Sequence, residues 1–413
     1  MQNKNRVLYL TYDGLTDPLG QSQIIPYLAG LSNLGHDITI LSAEKSERFD
    51  QKKELIKDIL TKSGIKWEPV IYHKKPPIIS TLFDLYRLKR KAHSIAKNNS
   101  LDIVHCRSYL SSIIGLSLKR KYGLKFIFDM RGFWADERVD GKLWNLRNPL
   151  FKWIFKYFKG KEKTFLTESD AIISLTQAGK EEMIKWVDSS RFMDKISIIP
   201  CCVDTSLFDP GTIDPQKLEE KREELNIHHG DFILTYLGSI GTWYMLPEML
   251  NFFKSLKKVN ENAVMLFITP KSDHNRIYAE IQNQQLPLSY FRVIESGRNN
   301  VPTYLSLSNY SIFFITPSYS KLSSSPTKQA EIMALGIPVI CNEGVGDTSF
   351  IVSRYESGIT LSQLNKDCFE KAVRAITETT FDPEQLRRGA LEYFDLSKGV
   401  ASYHKIYNSL KIK

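Results

Sequence analysis

The stretch that decides the fold is Tyr319-Ser-Lys-Leu-Ser-Ser-Ser-Pro-Thr-Lys-Gln-Ala-Glu-Ile-Met-Ala-Leu-Gly-Ile-Pro-Val-Ile340. It has the pattern of a polar loop, a helix, a Gly-x-Pro turn and a buried strand. Ser325 is a good N-cap residue, and Pro326 suits the first helical position because its missing N–H is not needed there. The stretch therefore predicts a helix whose first backbone amides, at Thr327 and Lys328, are available to a phosphate group.

Two charged residues of this predicted helix suggest a ligand. A lysine in the first turn opposes the helix dipole, so Lys328 is easiest to explain if an anion neutralises it. Glu331 lies one turn further on, where a carboxylate can accept hydrogen bonds from vicinal ribose hydroxyls. The alternative is an ordinary capped helix with a solvated glutamate, and the segment alone does not decide between the two.

Outward from this segment, short apolar runs alternate with longer amphipathic runs along the whole chain. Residues 22–34 show the helical spacing most clearly, since Ile24, Leu28 and Leu31 recur at i, i+4 and i+7. Repeated strand–helix–strand order predicts parallel sheets with right-handed crossovers. The predicted strands are 6–12, 37–42, 68–72, 102–105, 124–129, 171–175, 196–199, 231–237, 263–268, 290–294, 311–316 and 337–341. The other predicted helices are 79–98, 108–121, 145–168 and 177–188.

The length of 413 residues predicts two domains, because single cores stop growing near ~250–300 residues. A Pro- and Gly-containing stretch at 209–215, followed by a charged run at 217–224, indicates a linker and a solvated helix. We therefore predict an α/β fold with two Rossmann-like, doubly wound domains facing a cleft, with a boundary at residue 205. Ligands of such folds bind at the carboxyl ends of the strands.

The composition is that of a soluble globular protein with an anionic partner. Fifty-six Lys+Arg against 46 Asp+Glu leave a formal net charge of +10. No nucleic-acid partner is expected, because no basic run has the spacing of a zinc finger, a basic zipper or an RNP strand. Five cysteines without a C-x-x-C pair indicate neither a disulfide framework nor a zinc site, which fits the cytoplasm.

The segment Ala330-Glu-Ile-Met-Ala-Leu-Gly-Ile-Pro-Val-Ile340 resembles the signature helix of the retaining family-4 glycosyltransferases, which have the GT-B fold. Further segments resemble the same family in matching order: 35–41, 102–105, 170–176 and 199–208. The resemblance implies transfer of a sugar, with retention, from a nucleotide-sugar donor held by the C-terminal domain, 206–395. It also implies an N-terminal acceptor domain, 1–205, and a C-terminal helix, 396–413, that crosses back to it.

The chain departs from the family pattern near the donor. Of two glutamates that the family separates by seven residues, only Glu331 is present, and Ser323 stands at the position of the first. The family's basic pair after the first strand of the C-terminal domain is replaced by Gly238-Ser-Ile-Gly-Thr-Trp-Tyr244, so we expect Lys328 to supply the missing charge. The predicted donor-binding residues are Gly20, Ser239, Gly241, Ser325, Thr327, Lys328 and Glu331.

In the N-terminal half, basic residues stand at the ends of predicted strands. Arg131 can clamp a departing diphosphate bidentately, although a salt bridge with Asp136 or Glu137 is the alternative. His105 and Arg107 end a neighbouring strand, where a lone histidine is more often a satisfied core residue than a catalyst. The predicted catalytic residues are Arg131, His105 and Lys328, and the predicted acceptor-side residues are Arg107 and Asp136.

Residues 144–163 combine six aromatic with six basic side chains. Such a helix can lie on an anionic bilayer, which would suit a lipid-linked acceptor. The alternative is a Rossmann helix with an aromatic inner face and a basic outer face. The sequence does not choose between them.

The sequence predicts no metal site and no cofactor, because no Asp-x-Asp pair is present to hold a metal–diphosphate. We expect a cytoplasmic glycosyltransferase of polysaccharide biosynthesis that acts on a glycan or lipid-linked acceptor, the latter at the inner face of the cytoplasmic membrane. The alternative is a catalytically impaired, sugar-nucleotide-binding partner subunit, supported by Ser323 and the missing basic pair. A GT-B epimerase would need acidic groups at the anomeric site, which the sequence does not offer.

Overall fold

The computed structural model describes residues 4–76, 78–187 and 190–410. Three predicted segments extend beyond the described residues. These are the N-terminal domain at residues 1–3, the predicted helix 177–188 at residue 188 and the C-terminal helix at residues 411–413. The chain divides into two compact units. Described residues up to Cys202, with those from Leu396 onward, form unit 1, and Val203–Asp395 forms unit 2. The chain thus enters unit 2 slightly before the predicted boundary at residue 205.

Unit 1 is built on a seven-stranded parallel sheet. Its strands are β1 (Arg6–Thr11), β2 (Asp37–Lys45), β3 (Lys66–Tyr72), β4 (Ile103–Arg107), β5 (Lys125–Asp129), β6 (Ala171–Ser174) and β7 (Ile196–Ile198). They lie in the order β3-β2-β1-β4-β5-β6-β7. β4 is buried along its whole length, as expected for a strand with helices on both faces. The strand order reverses between β1 and β4, so their carboxyl ends mark the crevice where such sheets bind ligands.

The helices of unit 1 cover both faces of this sheet. They are α1 (Pro18–Gln23), α2 (Ile25–Asn33), α3 (Ser46–Lys62), α4 (Ile79–Asn98), α5 (Ser108–Tyr122), α6 (Trp134–Asp140), α7 (Pro149–Glu168), α8 (Gln177–Trp186) and, in chain order after those of unit 2, α17 (Leu396–Ser409). α17 packs against α2. The two helices approach closely because Gly30 has no side chain: a Cβ there would lie 2.7 Å from Val400 Cγ2.

Unit 2 repeats this architecture with a six-stranded parallel sheet. Its strands are β8 (Phe232–Leu237), β9 (Ala263–Ile268), β10 (Phe291–Ile294), β11 (Tyr310–Phe313), β12 (Val339–Asn342) and β13 (Gly358–Leu361). Their order is β10-β9-β8-β11-β12-β13. Here the order reverses between β8 and β11, so the loops that follow these two strands border the ligand-binding crevice of the unit.

The helices of unit 2 enclose an apolar core on both faces of the second sheet. They are α9 (Pro215–Glu224), α10 (Leu246–Val259), α11 (Lys271–Asn283), α12 (Val301–Leu305), α13 (Thr327–Ala334), α14 (Thr348–Arg354), α15 (Lys366–Glu378) and α16 (Pro383–Tyr393). Among all helices in the described part of the chain, none combines the length and the apolar character that crossing a bilayer requires.

The two parallel sheets confirm the predicted α/β class with two Rossmann-like domains. Every predicted strand overlaps a strand of the structure, whereas β13 was missed because it is a four-residue edge strand that opens with a glycine. The predicted helix 22–34 is interrupted at Ile24, which has φ −122° and ψ −61°. Pro26 explains the break, since its ring has no N–H and clashes with a preceding helical carbonyl.

The predicted helix 145–168 begins later than expected, at Pro149. The side chain of Asn148 caps it by accepting a hydrogen bond from the N–H of Leu150 at 2.9 Å. α3 was not predicted at all, because its surface is mostly polar and only Ile56 and Leu60 are buried.

Candidate functional site

In unit 2, the loop after β8 is held in one conformation by buried and half-buried polar groups. Its first residue, Gly238, has φ +100°, a backbone conformation that favours glycine. The carboxylate of Asp273 accepts hydrogen bonds from the N–H of Ile240 (2.9 Å) and the hydroxyl of Ser239 (2.8 Å). The hydroxyl of Tyr236 donates to the carbonyl of Ser239 at 2.6 Å. This loop is therefore preorganised at the carboxyl end of the sheet.

Beyond this loop the chain pairs with the segment that follows β11. Tyr244 forms an antiparallel bridge with Ile315, and the N–H of Thr316 donates to the carbonyl of Trp243 at 2.8 Å. The two loops at the strand-order reversal are thus joined by backbone hydrogen bonds. This pairing fixes the rings of Trp243 and Tyr244 beside the segment that leads into α13.

Lys328, in the first turn of α13, is the most unusual side chain of this region. Its Nζ lies 4.0 Å from the ring centroid of Tyr236 and 3.6 Å from that of Tyr244. A Cβ on Gly238 would lie 3.4 Å from the same Nζ. Lys328 is buried, with 7% of its surface exposed, and its Nζ has no hydrogen-bond partner among the described residues. Burying an ammonium that donates no hydrogen bond to a carboxylate or a carbonyl costs free energy of folding. The position of Lys328 therefore favours binding of an anion beside it.

Burial shifts the pKa of Lys328 well below its usual value, and the nearby Glu331 opposes that shift only in part. The cause is desolvation, because a charged ammonium loses its water when it is buried. The two rings recover some of this cost through cation–π attraction. A ligand phosphate beside the ammonium would raise this pKa again, because a nearby opposite charge favours the charged form.

A second lysine, Lys321, contacts the neighbouring ring of Trp243 and was not predicted. It lies in a 3-10 turn, Tyr319–Ser323, and is 6% exposed. Its Nζ lies 3.7 Å from the ring centroid of Trp243. The sequence carried a weak signal for this contact, since Lys321 stands two residues before Ser323 and Trp243 lies in the segment 238–244, and both Ser323 and that segment depart from the family pattern.

Glu331 is buried, with 5% of its surface exposed, and forms a salt bridge with Arg298. The guanidinium of Arg298 also lies over the ring of Phe208, 4.9 Å from its centroid. Glu331 is therefore not the solvated residue of the alternative interpretation. Because a carboxylate accepts several hydrogen bonds, Arg298 orients it without using all of its acceptor sites. Arg298 was not predicted, since no local pattern links it to α13.

The predicted N-cap at Ser325 is wrong. α13 begins at Thr327, and Pro326 occupies the N-cap position with an extended backbone (φ −69°, ψ 114°). A proline has no side-chain acceptor, so no side chain caps this helix. The carbonyl of Pro326 accepts from the N–H of Gln329 at 3.1 Å, while the N–H groups of Thr327 and Lys328 have no partner within the helix by geometry. The expected anion-binding end of the helix is thus retained, one residue later.

In unit 1, Gly20 has a structural reason to be glycine. A Cβ there would lie 2.2 Å from the carbonyl oxygen of Gly14 and 2.6 Å from Cα of Leu15. The same turn is fixed by the buried Glu44, which accepts hydrogen bonds from the N–H of Leu15 (2.7 Å) and the hydroxyl of Thr16 (2.6 Å). Packing within the unit, rather than room for a ligand, accounts for this residue.

His105 lies in a buried network at the carboxyl end of β4. Its Nδ1 is 2.7 Å from the hydroxyl of Tyr407, and its Nε2 is 3.4 Å from Asp129 Oδ2. Tyr403 donates to the same carboxylate oxygen at 3.0 Å. His105 is 1% exposed, and burial lowers its pKa although Asp129 opposes the shift. The structure thus places His105 as a satisfied core residue that ties α17 to the sheet, and it offers no support for catalysis.

Arg131 and Arg107 belong to the same cluster. Arg131 Nη1 lies 4.0 Å from Asp129 Oδ1, so its carboxylate neighbour is Asp129, not the Asp136 of the alternative interpretation. Burial alone would raise the pKa of Asp129, but Arg131 and His105 hold it below its usual value. Arg107 Nε donates to Asp13 at 3.0 Å. Both arginine side chains are more than nine-tenths buried.

Asp136 takes part in a different contact. It is buried and forms an ion pair with Lys159 of α7 at 2.7 Å, while burial raises its pKa. The ammonium of Lys159 also lies over the ring of Trp186, 4.3 Å from its centroid. This placement explains Asp136 as a link between α6 and α7 and gives no evidence for an acceptor-side role.

The predicted site residues therefore fall into two groups. Unit 2 brings together Ser239, Lys328 and Glu331 around the loops after β8 and β11, with Gly241 in the first loop and Thr327 at the start of α13. Unit 1 brings His105, Arg107 and Arg131 into one cluster, and leaves Gly20 and Asp136 in contacts of their own.

Comparison with protein-family models decides the assignment. Residues 25–207 match the model described as Glycosyltransferase Family 4, and residues 217–392 match the model described as Glycosyl transferases group 1. The two matched ranges together span most of the chain. The chain belongs to the family-4-like glycosyltransferases. No curated protein sequence matches it closely enough to count as a relative.

Solved structures agree that this glycosyltransferase has the GT-B fold. A glycosyltransferase from Rickettsia africae is 17% identical, with a TM-score of 0.73 over 99% of both chains. HepE from Anabaena, solved in complex with UDP and glucose, is 10% identical, with a TM-score of 0.71 over 98% of this chain and 100% of its own. A sucrose-phosphate synthase from Thermosynechococcus elongatus is 14% identical, with a TM-score of 0.72 over 98% of this chain and 99% of its own.

Replacing the buried ammonium should stabilise this glycosyltransferase. Lys328→Met keeps an unbranched side chain, one atom shorter, and removes a buried group without a hydrogen bond, so we expect the free energy of unfolding to rise by about 1–2 kcal/mol. Since the pKa of Lys328 is lowered in the native state, the unfolded chain binds its proton more tightly, and wild-type stability increases with pH up to the usual pKa of 10.5. The advantage of the variant should therefore shrink at alkaline pH.

Urea unfolding followed by circular dichroism measures this difference. Lys258→Met, on the exposed last turn of α10, is the matched control, expected to change stability by less than about 0.5 kcal/mol. A Lys328→Met variant less stable than wild type would show that the ammonium has a stabilising partner.

Gly20→Ala should destabilise unit 1, because the added methyl group would overlap the backbone of Gly14. We expect a loss of about 1–3 kcal/mol, as for other overpacked sites. The measurement is again urea unfolding, with Gly160→Ala in α7 as the control, since nothing lies within 4 Å of a Cβ there. Equal stability of the Gly20→Ala variant and wild type would mean that the residue is not required for packing.

Proposed function

We propose that this glycosyltransferase moves a sugar from a nucleoside-diphosphate sugar to a glycan or lipid-linked acceptor, with retention at the anomeric carbon and without a metal ion. The donor would bind to unit 2 at the loops after β8 and β11. HepE, whose structure holds UDP and glucose, supports a nucleoside diphosphate as the ligand class.

The observation that carries the proposal is the ammonium of Lys328. It is buried against Tyr236 and Tyr244 without a hydrogen bond among the described residues, at the N-terminus of a helix. Helix amides and a lysine together form a preorganised anion site. The family's basic pair after β8 is absent here, and Lys328 fills that space from a different element, because its Nζ lies against Gly238.

In the proposed reaction, the diphosphate docks at the amides of Thr327 and Lys328, and the ammonium stays protonated beside it. Negative charge develops on the leaving phosphate as the glycosidic bond breaks, and these fixed groups stabilise it. The acceptor hydroxyl attacks from the same face and passes its proton to the departing phosphate. Glu331, oriented by Arg298, would bind the ribose hydroxyls. No protein nucleophile is assigned.

The side chains of Ser239 and Arg131 already have partners within the protein. Ser239 lies in the donor loop, but its hydroxyl already donates to Asp273, so its backbone is the more suitable contact. Arg131 stays a predicted catalytic residue, and in unit 1 its guanidinium contacts Asp129 and Gln23. A cytoplasmic location, and contact of residues 144–163 with the inner face of the membrane, belong to the same proposal.

One observation favours the partner-subunit alternative. Ser323, at the position of the family's first glutamate, is buried and donates to the carbonyl of Ser320 at 2.9 Å. The short side chain of Ser323 thus forms a hydrogen bond within the 3-10 turn to which it belongs. A chain of this kind could bind the donor and fail to turn it over, which distinguishes the two candidates experimentally.

Calorimetric titration with UDP and GDP tests the donor site. We expect one of them to bind to wild type and Lys328→Met to bind at least about 30-fold more weakly, since removing a buried charge from an ionic contact costs roughly 2 kcal/mol or more. Lys258→Met should bind like wild type, because Lys258 lies in the last turn of α10, at the end away from the loop after β8. Equal affinity of Lys328→Met and wild type would contradict the proposed site.

Turnover separates the enzyme from the partner subunit. A transferase should release UDP or GDP from the corresponding sugar nucleotide slowly in water and faster with an acceptor. Binding without any release, in wild type at saturating donor, would favour the partner subunit.

A further inference from the structure

The first turns of α4 expose a stripe of large apolar side chains. Ile79, Leu82, Phe83 and Tyr86 are 66%, 62%, 50% and 59% exposed. Their spacing of i, i+3, i+4 and i+7 places them on one face of the helix. Single exposed apolar residues are common on soluble proteins, but a contiguous stripe marks an interaction surface.

The charges around this α4 stripe are almost all of one sign. Residues 74–91 contain six basic residues and a single acidic residue, Asp84, which is buried. The guanidinium groups of Arg87 and Arg90 lie 5.7 Å and 5.9 Å from the ring centroids of Phe83 and Tyr86. An apolar stripe flanked by basic groups complements a bilayer with anionic headgroups, where apolar side chains enter the acyl boundary and the bases meet phosphates.

The α4 stripe is fixed to the carboxyl edge of the sheet of unit 1. The carboxylate of Asp84 accepts a hydrogen bond from the backbone N–H of His73 at 2.7 Å and lies 2.6 Å from His73 Nδ1. It also accepts from the hydroxyl of Tyr12 at 3.5 Å. His73 follows β3 and Tyr12 follows β1. The stripe is therefore held next to the edge at which a doubly wound sheet binds its ligands.

A second, shorter stripe lies on α7. Leu150, Trp153 and Tyr157 are 50%, 65% and 39% exposed, and the rings of Trp153 and Tyr157 are stacked with centroids 6.0 Å apart. α4 and α7 both pack against α5, and each starts at the carboxyl edge of the sheet. Both stripes thus flank the same edge of unit 1.

We propose that unit 1 docks onto an anionic lipid bilayer through the α4 stripe, with the α7 stripe as a second contact. The sequence had pointed to 144–163 alone. Docking by α4 would place the acceptor-binding edge of the unit at the membrane surface. This inference rests in part on the proposed membrane contact of residues 144–163 and adds α4 to it, and the binding it describes does not depend on which sugar is transferred.

Vesicle co-sedimentation of the full chain, without any donor, tests the proposal. We expect wild type to sediment with vesicles of phosphatidylcholine and phosphatidylglycerol, more weakly with phosphatidylcholine alone, and less at high salt. The variant Ile79→Ser/Leu82→Ser/Tyr86→Ser should lose affinity at least about tenfold, because it removes the apolar contact while keeping Phe83, which packs on His73. Trp153→Ser should lose less.

Leu55→Ser is the matched control. Leu55 is 57% exposed and lies on α3, which connects β2 to β3 and therefore covers the other face of the sheet if crossovers are right-handed. The Leu55→Ser variant should bind vesicles like wild type. All variants should retain the wild-type melting temperature within a few degrees.

Three results would overturn the proposal. They are absence of wild-type binding to anionic vesicles, undiminished binding of the α4 variant, and loss of binding in Leu55→Ser to the same degree. A vesicle-free dimer that dissociates in the α4 variant would identify the stripe as a subunit interface instead. Nucleotide binding is measured separately, so failure here leaves the donor site unaffected and the reverse also holds.

Discussion

The ammonium of Lys328, buried between two aromatic rings at the carboxyl end of β8, is the interaction on which the proposed donor site depends. An unpaired buried charge disfavours folding, and natural structures keep few of them. Here the surrounding structure holds it firmly. Tyr236 belongs to β8 itself, and Tyr244 is fixed by its backbone pairing with the segment after β11. The rings lower the cost without providing the anion, so the site is complete only when a ligand brings one.

The fold explains why this charge can come from an unexpected element. Parallel strands end at one edge of the sheet, and the strand order of unit 2 reverses between β8 and β11. The loop after β8 and the N-terminus of α13 therefore lie side by side, although about ninety positions of sequence separate them. A base lost from the first loop can be replaced from the helix, provided that Gly238 leaves room for it. The absence of a side chain at Gly238 and the position of the Lys328 ammonium thus depend on each other.

Much of the fold was predictable from the sequence, because strand–helix alternation and length leave few options for a chain of this kind. The signature helix was also predictable, through Pro326 and the apolar spacing that follows it. Side-chain partners were harder to predict. Arg298 forms a salt bridge with Glu331 and Asp273 fixes the loop after β8, and no local pattern joins residues so far apart. The partners of His105 and Asp136 could not be predicted for the same reason, since Tyr407 and Lys159 lie on other helices.

Nuclear magnetic resonance titration of isotopically labelled lysine side chains, with Lys328→Met to assign the signal, measures the pKa of Lys328 directly. We predict a pKa below the usual lysine value in the free protein and a rise toward that value with saturating UDP or GDP, whichever binds. An ordinary pKa without ligand, or a lowered pKa that does not move when the nucleotide binds, would contradict this prediction.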